Sequence, residues 1–429
     1  MTTITRSLSA LCTLALAATL LPRTAAAEPI HAFQRQADGG IGHWIFHPKP
    51  TYVGRAGLQF YSPSLPPVDT SQGDTFSLAN GLVVSVGAGT SGSIVTNALA
   101  ASETSCAFYD AVNGGRQMVV NYFRDATHLD DSWSSDGVNF GAGSWDPPSG
   151  GVMEDGTPIM EYQTMPATAA REQGRIDMFA MAGFYPDSLE LIHRSWTHAG
   201  GTNWRHFVTD DVLRDRNYHP VGPPVAISWR LNGADRVDVF WTARGDDGGS
   251  LVHAWTTPDL ESIGGWESWG NGTNADLDFW GGSLAWVPAV VSPRENQIDV
   301  YQVAYGSYGT TFGSGTPIDT IIRWSWNNGT LTTTYLNPNQ GTFGPPSAPG
   351  ALWLSDVNKP YYAPLTMALF QLGGTKPGDA VDYWYWMAGS NILNSVGEPF
   401  SLLVAHEVTP LGFPSSGGNQ VTLCSEPLY

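Results

Sequence analysis

Basic residues are scarce: 20 lysines and arginines stand against 39 aspartates and glutamates, a formal net charge of −19. Such a chain repels phosphate backbones and anionic lipid, which excludes nucleic acid as a partner. Cysteine is nearly absent, with one residue each at 12, 106 and 424. That is too few for a thiolate zinc site. No EF-hand loop, phosphate loop, nucleophile elbow or dinucleotide fingerprint occurs, so neither a metal nor a cofactor is expected. Apolar runs long enough to span a bilayer are missing, which argues against membrane insertion. Helical periodicity is also missing. In its place runs alternation over four to six residues, bounded by Gly, Pro, Asn and Asp, the pattern of one short strand after another.

Charged residues make up 14 % of the chain, while 49 glycines and 17 tryptophans are present. Disorder requires the opposite composition. Residues 1–27 read as a secretory signal peptide, with Arg6 before an apolar Leu8 to Leu21 and small residues up to Ala27. Residues 28–429 read as a single domain, secreted and extracellular. Export leaves Cys106 and Cys424 as an even pair and predicts a disulfide between them. Asn271-Gly-Thr273 and Asn328-Gly-Thr330 are glycosylation sequons.

The most informative feature is a repeat. Arg175-Ile-Asp177-Met-Phe179 returns as Arg236-Val-Asp238-Val-Phe240 and as Gln297-Ile-Asp299-Val-Tyr301, with the aspartates 61 residues apart. Asp382 sits in a looser copy, and further Asp-strand positions fall near residues 32 and 107. A strand ending in tryptophan follows each of the three regular copies, at Trp196, Trp255 and Trp326. Repeats of this length made of strands and turns predict an all-β propeller of six or seven four-stranded blades, closed by strands from both termini. In residues 237–241 both faces carry bulk, as in a sheet sandwiched between two others.

Pro224 to Trp269 holds the fullest copy: Pro-x-Val-x-Ser at 224–228, the Asp238 strand, Leu251-Val-His253-Ala-Trp255, then Trp266-Glu-Ser-Trp269. This pattern resembles the β-propeller lectins of the Photorhabdus-lectin type, which border the fucose-binding propellers. The resemblance spans about residues 166–300, is partial to 390, and fails from 45 to 165. It implies a multivalent binder of fucosylated or O-methylated glycans, without catalysis.

Repetition itself favours binding over chemistry, because an enzyme needs one asymmetric constellation. The repeated aspartates suit a structural role, accepting backbone N–H bonds. The repeated tryptophans suit either inter-blade packing or platforms for sugar C–H faces. On the second reading the carbohydrate-binding candidates are His253, Trp255, Trp266 and Trp269, with His43, Trp44, Arg323 and Trp324 as equivalent pairs. Residues i and i+2 of a strand share a face, so His253 and Trp255 fit one pocket. Two alternatives stand beside the lectin. One is a propeller glycoside hydrolase or polysaccharide lyase using unrepeated carboxylates, with candidates Glu154, Asp155, Glu161, Asp210, Asp211 and the group Asp125, His128, Asp130, Asp131. The other is a protein-binding or structural propeller.

Overall fold

A computed structural model describes residues 30–35 and 40–50 and most of 100–209 and 219–336. It also describes strands at 75–77, 82–86, 92–94, 350–353, 365–372, 381–387, 404–408 and 422–425. Among the described residues there is no helix, and the strands form six sheets paired antiparallel throughout. The proposed signal peptide and Asp210, Asp211 and Asn271 lie outside the described residues.

The first sheet joins both ends of the chain: Thr422–Ser425 pairs with Ile30–Arg35, which pairs with Ile41–Pro50. In the second, Thr104–Asp110, Arg116–Asp125, His128–Ser134 and Gly141–Ser144 follow in order. The third runs Ala167–Arg171, Arg175–Ala182, Glu190–Thr197, with Arg205–Val208 beyond. The fourth contains Val225–Leu231, Ala234–Gly245, Gly248–Thr256 and Ile263–Gly270. Leu284–Arg294, Gln297–Tyr308, Thr316–Asn327 and Thr330–Leu336 make the fifth, and Gly350–Trp353, Leu365–Leu372, Val381–Met387 and Val404–Val408 the sixth. The first strand of each sheet touches that of the next, and Gly350–Trp353 of the sixth touches Thr422–Ser425 of the first.

Two-residue Asn-Gly turns explain the tight hairpins. Asn232 and Gly233 have φ of 51° and 79°, and Asn328 and Gly329 have 48° and 85°. Positive φ at both central residues is the hairpin turn whose twist matches the strands, so the second sequon is a turn. Alternation then fills the spaces between sheets. Val237, Val239 and Trp241 pack against Phe179 and Met181 of the third sheet, while Phe240 meets Ile298 and Val300 of the fifth. Each such side chain contributes about 1.5–3 kcal/mol by burial.

The repeated aspartates lie on the second strands of three consecutive sheets, as expected, and are buried. Their partners are side chains rather than the backbone donors the sequence suggested. Asp177 accepts from Arg175 Nε at 3.0 Å and His193 Nε2 at 2.9 Å. Asp238 accepts from Arg236 Nε at 2.5 Å and His253 Nε2 at 2.8 Å. Asp299 accepts from Gln297 Nε2 at 3.2 Å and Arg323 NH2 at 2.7 Å. The cause is register: Phe179 pairs with His193 and Phe240 with His253, so each basic group lies one diagonal step from its aspartate. Asp382 breaks the series, because it occupies the third strand of its sheet. The position near 107 also differs, falling on a first strand. Period-two bulk on both faces occurs on every buried strand, so the pattern alone does not tell one strand from its neighbour.

The first sheet carries a histidine where the third, fourth and fifth carry aspartate. His31 Nδ1 lies 2.9 Å from His43 Nε2, and both are buried against Phe33, with Phe108 beside His31 and Phe140 beside His43. This corrects the reading of His43 as a sugar donor; it is a core residue. The expected Cys106–Cys424 disulfide is present, with Cα atoms 6.1 Å apart. It ties the C-terminal strand to the second sheet. That strand supplies the edge where neighbouring sheets meet, rather than an outer strand.

Two stability predictions result. Asp177→Ala leaves Arg175 and His193 without their buried acceptor and should cost about 3–5 kcal/mol in denaturant unfolding. Acid should also destabilise the fold. Burial, and next the neighbouring His31, push His43 down to about 3 from 6.5. The unfolded chain therefore binds more protons between these values, so stability present above pH 6.5 is lost as pH falls toward 3. Burial works against Asp177, yet His193 and Arg175 still hold its carboxyl below the usual range, which adds loss in the same direction at lower pH. His43→Phe should flatten the pH 3–6.5 part of the stability profile.

Candidate functional site

Between the fourth and fifth sheets lies a cleft of about 170 Å³ lined by Trp229, Arg236, Asp238, His253, Trp255, Glu267, Trp269, Ile298 and Trp326. Its floor is a chain of charged groups. Arg236 and Asp238 sit two apart on one strand, and His253 reaches Asp238 through Nε2 and Glu267 Oε1 through Nδ1 at 3.2 Å. The imidazole is thus gripped from both sides and stacked on Phe240 with ring centres 4.4 Å apart. Asp238 has no exposure, whereas the Glu267 side chain is 47 % exposed and faces the opening. The His253 hydrogen bond, against burial and with the Trp269 Nε1 bond at 2.8 Å, holds the Glu267 carboxyl below its ordinary range.

Four indoles form the walls. The Trp255 ring has Arg236 4.6 Å from its centre. Its placement depends on the strand opposite: a Cβ at Gly265 would come 2.4 Å from the Trp255 ring. Trp229 meets Trp326 edge-on at 5.6 Å, and the buried Trp229 Nε1–H has no acceptor among the described residues. A ligand oxygen would satisfy that donor, which otherwise carries its desolvation cost unrelieved.

The structure brings together three of the expected residues, His253, Trp255 and Trp269. Trp266 points to the other face of its strand, into the core between the third and fourth sheets. Arg323 is bound to Asp299, and Trp324 is fully buried. Adjacent strand residues face opposite ways, so Arg323 with Trp324, and His43 with Trp44, cannot share a pocket; the Trp44 side chain lies outside the described residues. Sequence reasoning missed Glu267, Trp229, Arg236 and Trp326 as lining residues. The i, i+2 rule applied to Trp269 would have found Glu267, but Trp326 comes from the neighbouring sheet.

The unrepeated carboxylates are dispersed. Glu154 and Asp155 are exposed, and Asp155 caps a turn by accepting from Thr157 N at 2.8 Å. Asp125 accepts from Thr127 N and His128 in another turn. Asp146, not singled out beforehand, is buried and saturated by Arg194 NH1 (2.7 Å), Leu129 N (2.8 Å), Tyr162 OH (2.9 Å) and Trp204 Nε1 (3.3 Å). Among the described residues no group of three His, Cys, Asp or Glu could hold a metal ion.

No family model and no curated protein matches the sequence. Solved structures do. An α-L-arabinanase of Penicillium chrysogenum is 13 % identical over 72 % of this chain and 86 % of its own, with a TM-score of 0.42. An endo-arabinase of Bacteroides thetaiotaomicron is 8 % identical over 71 % and 93 %, with a TM-score of 0.38. A polysaccharide lyase, an ulvan lyase, is 9 % identical over 83 % and 78 %, with a TM-score of 0.36. The expectation of a non-catalytic lectin for fucosylated glycans is corrected by these findings: the three similar structures named are enzymes. At such identities the likeness concerns fold alone.

One substitution tests the cleft directly. Gly265→Ala should displace the Trp255 indole, shifting tryptophan fluorescence and weakening any ligand of this cleft by about tenfold or more, with little change in the unfolding midpoint.

Proposed function

We propose that the chain is a glycan-cleaving enzyme, a glycoside hydrolase acting on a neutral saccharide in the cleft between the fourth and fifth sheets. The observation that carries this reading is an exposed, ionised carboxylate, Glu267, hydrogen-bonded to an immobilised histidine beneath indole walls. Indole faces suit sugar C–H surfaces, and the Trp229 N–H suits a hydroxyl. Hydrolysis adds the hydroxyl of water to the anomeric carbon and its proton to the departing oxygen. Glu267 takes the proton from the attacking water, and the departing oxygen takes its proton from solvent at the cleft mouth. Asp238 acts from behind, fixing the ring of His253.

Elimination from a uronate is the weaker alternative. It needs a cation to neutralise the substrate carboxylate, and Arg236 and His253 already face Asp238 and Glu267. A net charge of −19 also disfavours polyanionic glycans. We further infer a six-bladed propeller, supported by first strands that touch in series and by the contact of the sixth sheet with the first. The disulfide supports an exported setting.

The test is reducing-end release from a panel of neutral oligosaccharides, with absorbance of unsaturated products followed in parallel. Glu267→Gln should lower turnover by about 10²–10⁴-fold, and Trp255→Ala should mainly raise KM. Equal turnover by wild type and Glu267→Gln would refute the assignment.

A further inference from the structure

The second sheet repeats the fourth position by position, and so does the sheet that faces it. Tyr109 pairs with Gln117 as Trp229 pairs with Arg236. Trp133 pairs with Gly141 as Trp255 pairs with Gly265, and Asp131 pairs with Gly143 as His253 pairs with Glu267. Ser144-Trp145 stands where the fourth sheet has Ser268-Trp269. Across the gap Trp196, paired with Ile176, corresponds to Trp326, paired with Ile298. Contacts repeat as well: Tyr109 meets Trp196 edge-on at 5.6 Å, matching Trp229 and Trp326. Trp145 lies edge-on to Trp196 at 6.1 Å.

Four exchanges, the fourth being Val119 for Asp238, change the chemistry between the second and third sheets. In the fourth sheet the Arg236 guanidinium lies between the rings of Trp255 and Trp229, 4.6 and 5.7 Å from their centres, an internal cation among the aromatics. Gln117 holds that place in the second sheet, and it is uncharged and accepts the Tyr109 hydroxyl at 2.5 Å. His253 is replaced by Asp131 and Glu267 by Gly143. The missing side chain matters, because a Cβ at Gly143 would lie 2.5 Å from Asp131 Oδ1. Asp131 is 8 % exposed, and among the described residues no other group donates a hydrogen bond to its carboxyl. Among the described residues Arg194 is engaged with Asp146, and Arg124 with Asp130 on the opposite face. Burial, then Asp130, push the Asp131 carboxyl up to about 6, the mark of an anion without its counter-ion.

We propose that this cleft binds an organic cation, a primary or methylated ammonium group that pairs with Asp131 inside the box of Tyr109, Trp133, Trp145 and Trp196. The aromatic faces attract the cation through their quadrupoles, the carboxylate supplies the ion pair, and the acidic surface raises the local concentration of cations. Trp133, 43 % exposed, is the outer wall through which the ligand enters. The ligand thus takes the role that Arg236 plays within the fourth sheet.

Titration of the full chain with tetramethylammonium, methylammonium and glucosamine, followed by calorimetry and tryptophan fluorescence, tests this. Neutral tert-butanol and glucose serve as controls. Saturable binding of an ammonium probe but not of its neutral counterpart is expected. Preference for tetramethylammonium would indicate a methylated ammonium as the source, and preference for glucosamine an amino sugar. Asp131→Asn should weaken binding at least about tenfold. Gln117→Arg restores the internal cation and should abolish binding with Asp131 intact. Glu267→Gln should retain it, which separates this site from the proposed hydrolytic cleft. Absence of ammonium binding, equal binding of neutral probes, or normal affinity in a folded Gln117→Arg variant would each overturn the proposal.

Discussion

The buried aspartate of each regular sheet is the interaction on which the remainder hangs. A carboxylate with no solvent exposure is tolerable only when neighbouring cations and donors replace the lost water. The Asp177, Asp238 and Asp299 strands meet this demand in the same manner, with one partner two residues back and a second on the adjacent strand. That arrangement locks register between second and third strands, since a slip of one residue would turn every aspartate and histidine to the opposite face. It also orients the histidine. The His253 ring that supports Glu267 is held by the same bond that stabilises the sheet.

Where the aspartate is exchanged, the solution changes with it. The first sheet substitutes His31 and pairs it with His43 among phenylalanines, a neutral arrangement that cannot tolerate protons well. The second substitutes Val119 and moves a single carboxyl, Asp131, to the third strand. These exchanges turn copies of one supersecondary unit into spaces of different charge. A cleft with Arg236, Asp238, His253 and Glu267 is internally balanced around one exposed carboxylate, while the cleft at Asp131 is left one cation short.

Glycines on the fourth strands set the shape of both clefts. Gly265 lies under Trp255 and Gly141 under Trp133, each so close that a Cβ would fall within 3 Å of the ring. The absence of a side chain at each glycine is what lets the indole lie against the fourth strand. The departure from a set of equal lectin sites belongs here as well. Repeated aromatic and histidine residues suggested several equal binding sites, but their surroundings differ from sheet to sheet, and asymmetry is what a catalytic centre requires.

The all-strand architecture, the 61-residue period, the disulfide and the pairing of His253 with Trp255 were legible in the sequence. They rest on local rules: alternation, turn chemistry, and an even cysteine count once the expected signal peptide is set aside. Only the tertiary structure decided which strand each copy occupies, so that Asp382 and the position near 107 fell on the third and first strands. It alone placed Trp326 opposite Trp229, buried His43, and left Asp131 without a cation among the described residues. The physical reason is common to all of these. A strand residue chooses a face by its own period, but what it meets there belongs to a different sheet, dozens of residues away, about which the period carries no information.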